Sequence, residues 1–168
     1  MKSTKKLVFM ALLTAISLGI WILEAQLPPL IPVPGVKPGL ASVVTLIAMA
    51  LLGRREALAI LLMRVVLSCL FAGSFSAILF SMSGGLVSWA VMALTVGLLE
   101  EKLLWAVSVL GALGHNAGQL LAAVAVTKTP GLLWSYGPIL VIAAVATGAL
   151  TGVTALYLRR VLQSQIKF

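Results

Sequence analysis

His115 is the only histidine in the chain, and it sits in Gly111-Ala112-Leu113-Gly114-His115-Asn116-Ala117-Gly118-Gln119. Three side chains able to donate and accept hydrogen bonds thus fall within five residues of a stretch otherwise made of Gly, Ala and Leu. On a helix His115 and Gln119, four apart, share a face, and Asn116 is rotated from His115 by about 100°. Gly114 and Gly118 lie beside that face, where they let another helix come close. Two chemistries suit such a cluster in an apolar helix. It binds a polar solute, or it ties helices together by hydrogen bonds.

Arg64 is the second residue of this kind, a lone cation about 12 Å beyond Glu56 along a helix of 1.5 Å rise. In hydrocarbon it costs at least about 2.5–3.5 kcal/mol, so it is expected to face the interior of a helix bundle and be paired or solvated there. The candidate partners are His115, Asn116 and Gln119. No metal or cofactor is expected: one histidine, one cysteine (Cys69) and no aspartate do not make a ligand set. Cys69 reads as a small apolar filler. No Gly-x-x-x-x-Gly-Lys-Ser/Thr loop is present to hold a nucleotide phosphate.

Residues 27–39 hold five of the seven prolines: Leu27-Pro28-Pro29-Leu30-Ile31-Pro32-Val33-Pro34-Gly35-Val36-Lys37-Pro38-Gly39. Proline removes backbone donors and fixes φ, so this is a stiff, apolar, non-helical segment. It is either a lid over a cavity or a rigid turn packed on helix ends. Lys37 meets an anionic ligand group or snorkels to the headgroups. Glu24 and Gln26 close the preceding helix on the same side, to pair with Lys37, line the cavity mouth or remain solvated.

The elements that must position these groups follow from composition. The 168 residues are 61% hydrophobic and 10% charged, against about 45–50% and about 25% in an ordinary soluble domain. Sixteen charged groups cannot clothe a water-soluble globule of this size. The length fits one domain, 1–168. Crossing about 30 Å of hydrocarbon takes about 20 helical residues. The charge-free runs predict an all-α integral membrane protein, a compact bundle of six spans at about 6–26, 39–53, 57–72, 84–99, 103–126 and 137–158, within about 2–4 residues. The 35-residue run from Val65 to Leu99 must turn back, at Gly73-Ser74 or within Ser81-Met82-Ser83-Gly84-Gly85. Gly137-Pro138 is read as the start of the last helix and Arg159-Arg160 as its end.

With six spans Lys2, Lys5, Lys6, Arg54, Arg55, Lys102, Arg159, Arg160 and Lys167 share one side, and only Lys37 and Lys128 lie on the other. That asymmetry predicts cytoplasmic termini. The net charge of +8 is then a matter of orientation, and no nucleic-acid partner is expected. The first segment resembles a signal peptide in its lysines and apolar run, but it continues to Leu23 without an Ala-x-Ala site.

Three motifs in order carry a resemblance over nearly the whole chain: Pro34-Gly35-Val36-Lys37-Pro38-Gly39-Leu40-Ala41, Phe80-Ser81-Met82-Ser83-Gly84-Gly85-Leu86-Val87-Ser88 and Gly114-His115-Asn116-Ala117-Gly118-Gln119-Leu120. They resemble the bacterial membrane family labelled heptaprenyl diphosphate synthase component I, also called the Gx transporter family. That family is in turn similar to the substrate-binding S components of energy-coupling factor transporters, whose first helix docks on a coupling subunit through an Ala-x-x-x-Ala face. Ala11-Leu12-Leu13-Thr14-Ala15 matches that pattern.

The two labels imply different functions. Prenyl chain elongation needs magnesium held by clustered aspartates, and there is no aspartate here. The chain is therefore expected not to be an enzyme by itself. The expectation is a multi-pass protein of the bacterial cytoplasmic membrane that captures a small solute from outside, energised by a separate coupling subunit and ATPases. Arg64, His115, Asn116 and Gln119 would contact the solute, Lys37 with Pro34, Gly35, Pro38 and Gly39 would cap it, and Ala11 and Ala15 would dock the partner. The alternative is a non-catalytic membrane subunit of a prenyl diphosphate synthase, quinone or redox assembly. An ion channel would need a ring of charge or a filter-like repeat, which the sequence lacks.

Overall fold

The computed structural model describes residues 3–26, 39–72 and 75–165. These form six α-helices and a short 3-10 turn, with no strand among the described residues: α1 Ser3–Ala25, α2 Ser42–Leu51, α3 Arg54–Ala72, α4 Phe75–Thr95, the turn Glu101–Leu103, α5 Leu104–Thr127 and α6 Leu132–Gln165. Lys37, Pro34, Gly35 and Pro38 lie outside the described residues.

Four helices, α1, α4, α5 and α6, are long and apolar enough to cross a membrane. Their outward faces carry Leu23, Leu94, Trp134 and Ile142, each more than two thirds exposed. An apolar exterior of that extent has hydrocarbon, not water, as its solvent. The protein is a multi-pass helical membrane protein.

Three helices differ from the sequence expectation. α2 has ten residues, about 15 Å, where fifteen were expected from 39 to 53. Every residue from Val43 to Met49 is buried, so its apolar run reflects a helix enclosed by its neighbours on all sides rather than one facing lipid. α3 ends at Ala72 and α4 begins at Phe75 instead of residue 84; Gly73-Ser74, one of the two expected turning places, lie outside the described residues. Ser83-Gly84-Gly85 continue the helix because α5 presses on them: a Cβ on Gly118 would lie 2.6 Å from the Ser83 carbonyl oxygen, and one on Gly84 2.7 Å from Gln119 Cγ. Glycine lowers helix propensity, yet here it permits the contact between the two helices. α6 begins at Leu132 and takes Pro138 into its interior, and it continues through Arg159 and Arg160 to Gln165. Inside a bundle, neighbouring groups offset the lost N–H of such a proline.

The same small-residue contact joins α5 to α6. A Cβ on Gly148 would meet Val109 Cα at 2.6 Å, and one on Gly152 would meet Trp105 Cα at 2.6 Å. The core proper lies where α2 meets α3, α4 and α5, at Leu46, Ile60, Met92 and Val107. Charged residues gather at one end of the bundle. Lys6 pairs with Glu56, the Trp89 indole N–H donates to the Arg54 carbonyl at 3.0 Å, and Arg159 and Glu100 line one cleft. Lys128 caps α5 at the opposite end in the left-handed region, φ 53°.

Candidate functional site

α1 buries one stripe, Leu13, Thr14, Ser17, Trp21 and Glu24, and this stripe delivers a carboxylate to the interior. Glu24, only 4% exposed, accepts hydrogen bonds from the backbone N–H groups of Gly39 and of Leu40, the latter at 3.1 Å. Those donors open the turn that leads into α2, whose first residues have no side-chain cap of their own. The first N–H groups of α2, those of Ser42 and Val43, donate to the Gly39 and Leu40 carbonyls, so Glu24 holds the turn that caps the helix and places negative charge near its start, where the helix dipole favours it.

The turn brings Gly39 down onto α5. Gly39 has φ +79°, and a Cβ there would lie 2.8 Å from His115 Cδ2. On the other side, a Cβ on Gly84 of α4 would lie 3.0 Å from His115 Cε1. The imidazole is held between two glycines. One helical turn further along α5, Gln119 is fully buried.

Arg64 enters from α3 and is 4% exposed. Glu24 is the carboxylate whose field acts on the Arg64 guanidinium, and the charge of Arg64 acts in turn on His115. Together with Ser88 and Gln119 they line one cavity of about 20 Å³, to which α1, α2, α3, α4 and α5 all contribute. That volume is room for about one water. Three buried polar atoms of residues that line it have no hydrogen-bond partner among the described residues: Arg64 Nε, His115 Nδ1 and Ser88 Oγ. Each such group costs about 1–3 kcal/mol if left unsatisfied, so the polar interior here is kept against a cost in stability. Arg64 and Glu24 balance in charge, and the remaining polar groups are hydrogen-bonding ones. The arrangement can bind and orient a small polar molecule.

Arg64, His115 and Gln119 are thus brought together, whereas Asn116 is turned away. Its amide nitrogen donates to the Leu140 carbonyl of α6 at 2.9 Å. Gly39 is at the site as a backbone contact to His115. Ala11 and Ala15 lie on the exposed face of α1, beside Leu12 and Ile16. Glu24, for which lining the cavity mouth was one of three readings, belongs to the site, and so do Ser88 and Gly84, which were not singled out for it. The signal for Glu24 was the repeat Thr14, Ser17, Trp21, Glu24, whose spacing of three and four marks a polar stripe on one face of an otherwise apolar helix.

Over residues 13–158 the chain matches the family described as heptaprenyl diphosphate synthase component I. The chain belongs to that family. Comparison with curated proteins and with solved structures gave no match. The stretch that defines this heptaprenyl diphosphate synthase component I member contains every residue lining the cavity, from Trp21 to Gln119.

Proposed function

We propose that this protein is the substrate-binding membrane component of a small-molecule uptake transporter, without catalytic activity of its own. A separate coupling subunit and ATPases supply the energy. The observation that carries the reading is the polar cavity among five helices, lined by Glu24, Arg64, Ser88, His115 and Gln119. Membrane proteins place solute sites near the midplane, lined by polar groups that would be costly facing lipid. In this reading the chain crosses the bacterial cytoplasmic membrane six times, with α2 and its flanking turns as one crossing. Both termini are cytoplasmic, as the basic residues at one end of the bundle favour. Lys37 with Pro34, Gly35, Pro38 and Gly39 closes the outer side, and Ala11 and Ala15 meet the coupling subunit.

Native mass spectrometry of the purified protein, searching for a retained small molecule, tests the reading directly. Loss of that molecule in Arg64→Ala and His115→Ala supports it. Retention in both variants, with only thermal stability lowered, defeats the site. Bulky substitution at Ala11 and Ala15 should abolish copurification with coupling subunits.

A second reading is favoured by the family description itself: a membrane subunit that holds a soluble prenyl diphosphate synthase at the bilayer. Copurification with such a synthase, unaffected by Arg64→Ala, would support it over transport.

A further inference from the structure

At the charged end of the bundle α1 and α3 leave a groove of about 320 Å³ between them, lined by Lys6, Leu7 and Met10 of α1 and by Arg55, Glu56 and Ala59 of α3. It shares no residue with the Arg64 cavity, and its volume falls in the range of about 300–1,000 Å³ common to small-molecule sites. Leu7 on its wall is 63% exposed and Val8 beside it 65%, so the groove opens on the outer surface of the bundle, where lipid is the solvent.

Along both helices the lining changes character within one turn. Lys6 lies four residues before Met10, and Arg55 four before Ala59, a rise of about 6 Å on each helix. A headgroup layer is about 5–8 Å deep on either side of the hydrocarbon. The charged and the apolar parts of the groove thus match the two parts of a phospholipid, the phosphate and the acyl chain that follows it.

The charge in the groove is unbalanced. Lys6 donates to Glu56, the one carboxylate there, and its ammonium keeps two further protons to give. Arg54 is turned toward α4, where a Cβ on Gly97 would lie 2.7 Å from one of its terminal nitrogens. Arg55 is exposed and has no ion pair among the described residues. Both helices also begin at this end, α1 with no acidic residue in its first turn and α3 with Arg54 and Arg55 in its own. A helix start is itself partly positive, so cations placed there favour an anion from outside. Acyl chains alone would leave Arg55 unmatched, and a soluble anion would leave the apolar wall to no purpose.

We propose that this groove binds an anionic phospholipid. Its phosphate is held by the Arg55 guanidinium, whose planar fork fits phosphate oxygens, and by the remaining Lys6 protons, with an acyl chain laid against Leu7, Met10 and Ala59. The site does not rest on the transport reading.

The test counts lipids on the full chain in detergent by native mass spectrometry, titrating with phosphatidylglycerol or with phosphatidylcholine of the same acyl chains. One phosphatidylglycerol should bind with a preference of about fivefold, the worth of one basic residue at a membrane surface. Arg55→Gln, an exposed change that leaves Lys6 and Glu56 paired, should erase the preference. Arg160→Gln, which removes an exposed cation outside the groove, should keep it. Excess glycerol 3-phosphate, a head without chains, should displace nothing. Equal binding of the two lipids, equal loss in Arg160→Gln, or displacement by glycerol 3-phosphate would each overturn the proposal. So would a copurifying protein released by Arg55→Gln with no lipid preference, which would give the groove to a protein partner.

Discussion

Gly39 rests with its α-carbon against the imidazole of His115, so close that a Cβ would stand 2.8 Å from Cδ2. The connection between α1 and α2 therefore reaches the floor of the polar cavity, and Glu24 pins it there by its backbone N–H groups. A bound molecule cannot move His115 without moving this turn.

Gly39→Ala should be destabilising for two separable reasons. The left-handed backbone costs an L-residue about 1–2 kcal/mol, and the new methyl strikes the imidazole. Adding His115→Ala removes only the second cost. Thermal unfolding in detergent should accordingly show the double variant recovering part of the stability lost in Gly39→Ala. Full recovery, or none, would contradict the geometry.

Arg64 and Glu24 carry opposite charges on the wall of one buried cavity, so removing either leaves the other uncompensated. Arg64→Met should cost about 3 kcal/mol, and Glu24→Gln, which keeps a carbonyl for Gly39 and Leu40, should cost less. The double variant should be more stable than the sum of the two single losses predicts, by a coupling of about 1–3 kcal/mol. Additive losses would mean the two charges do not sense one another.

The buried charge and its companions on α5 were legible because hydrocarbon makes polar residues conspicuous: Arg64, His115 and Gln119 stand out from apolar runs by type alone. Asn116 stood out equally and went elsewhere, since one residue of helical rotation separates the cavity from α6. Glu24 was obscured by its place at a helix end, where exposure is the ordinary outcome. What buried it was a backbone turn from fifteen residues later, a long-range contact that no local pattern announces. The same limit applies to Ser83-Gly84-Gly85 and Gly137-Pro138. As local signals they read as helix boundaries, and only the neighbouring helix shows that the glycines are contacts and the proline an interior residue.

Those contacts can be weighed against controls in the same chain. Gly118→Ala and Gly148→Ala each drive a methyl to 2.6 Å from backbone of another helix, and backbone cannot step aside as a side-chain end can. Each should lower stability by about 1–3 kcal/mol. Gly19→Ala, with nothing within 4 Å, should be neutral or stabilising by up to about 1 kcal/mol, the helix-propensity difference. Chemical or thermal denaturation of the three variants side by side reads this directly.

The Lys6–Glu56 pair ties the start of α1 to α3 just before the apolar stretch of α3. The hydrogen bond from Lys6, followed by smaller contributions from the Glu56 backbone and nearby cations, holds the Glu56 carboxyl below its ordinary range. A depressed carboxylate stabilises the folded state above its unfolded value of about 4.5 and loses that contribution as pH falls through the lowered value. The pair is partly exposed, so its worth is at most about 1 kcal/mol. Unfolding measured from pH 7 down to pH 3 should show Glu56→Gln less stable than the parent at pH 7 by that small amount, with the difference vanishing at the acid end.

Six crossings require α2 to traverse the bundle although it is only ten residues long. In that reading its entry turn sits at the depth of His115 and its exit meets Arg54 at the charged end. The arrangement dictates an accessibility pattern. With Cys69 replaced by Ala, single cysteines at Lys5, Lys102 and Arg160 should react with an impermeant maleimide only after intact cells are opened. A cysteine at Lys128, exposed at the tip between α5 and α6, should react beforehand. Labelling of positions 5 and 160 from opposite sides would mean an odd number of crossings and would remove α2 from the count. Agreement between them, opposed by position 128, fixes an even number, and a further cysteine at Arg55, exposed between α2 and α3, decides the rest: reaction only after the cells are opened makes the short buried helix a true crossing, and reaction beforehand leaves four.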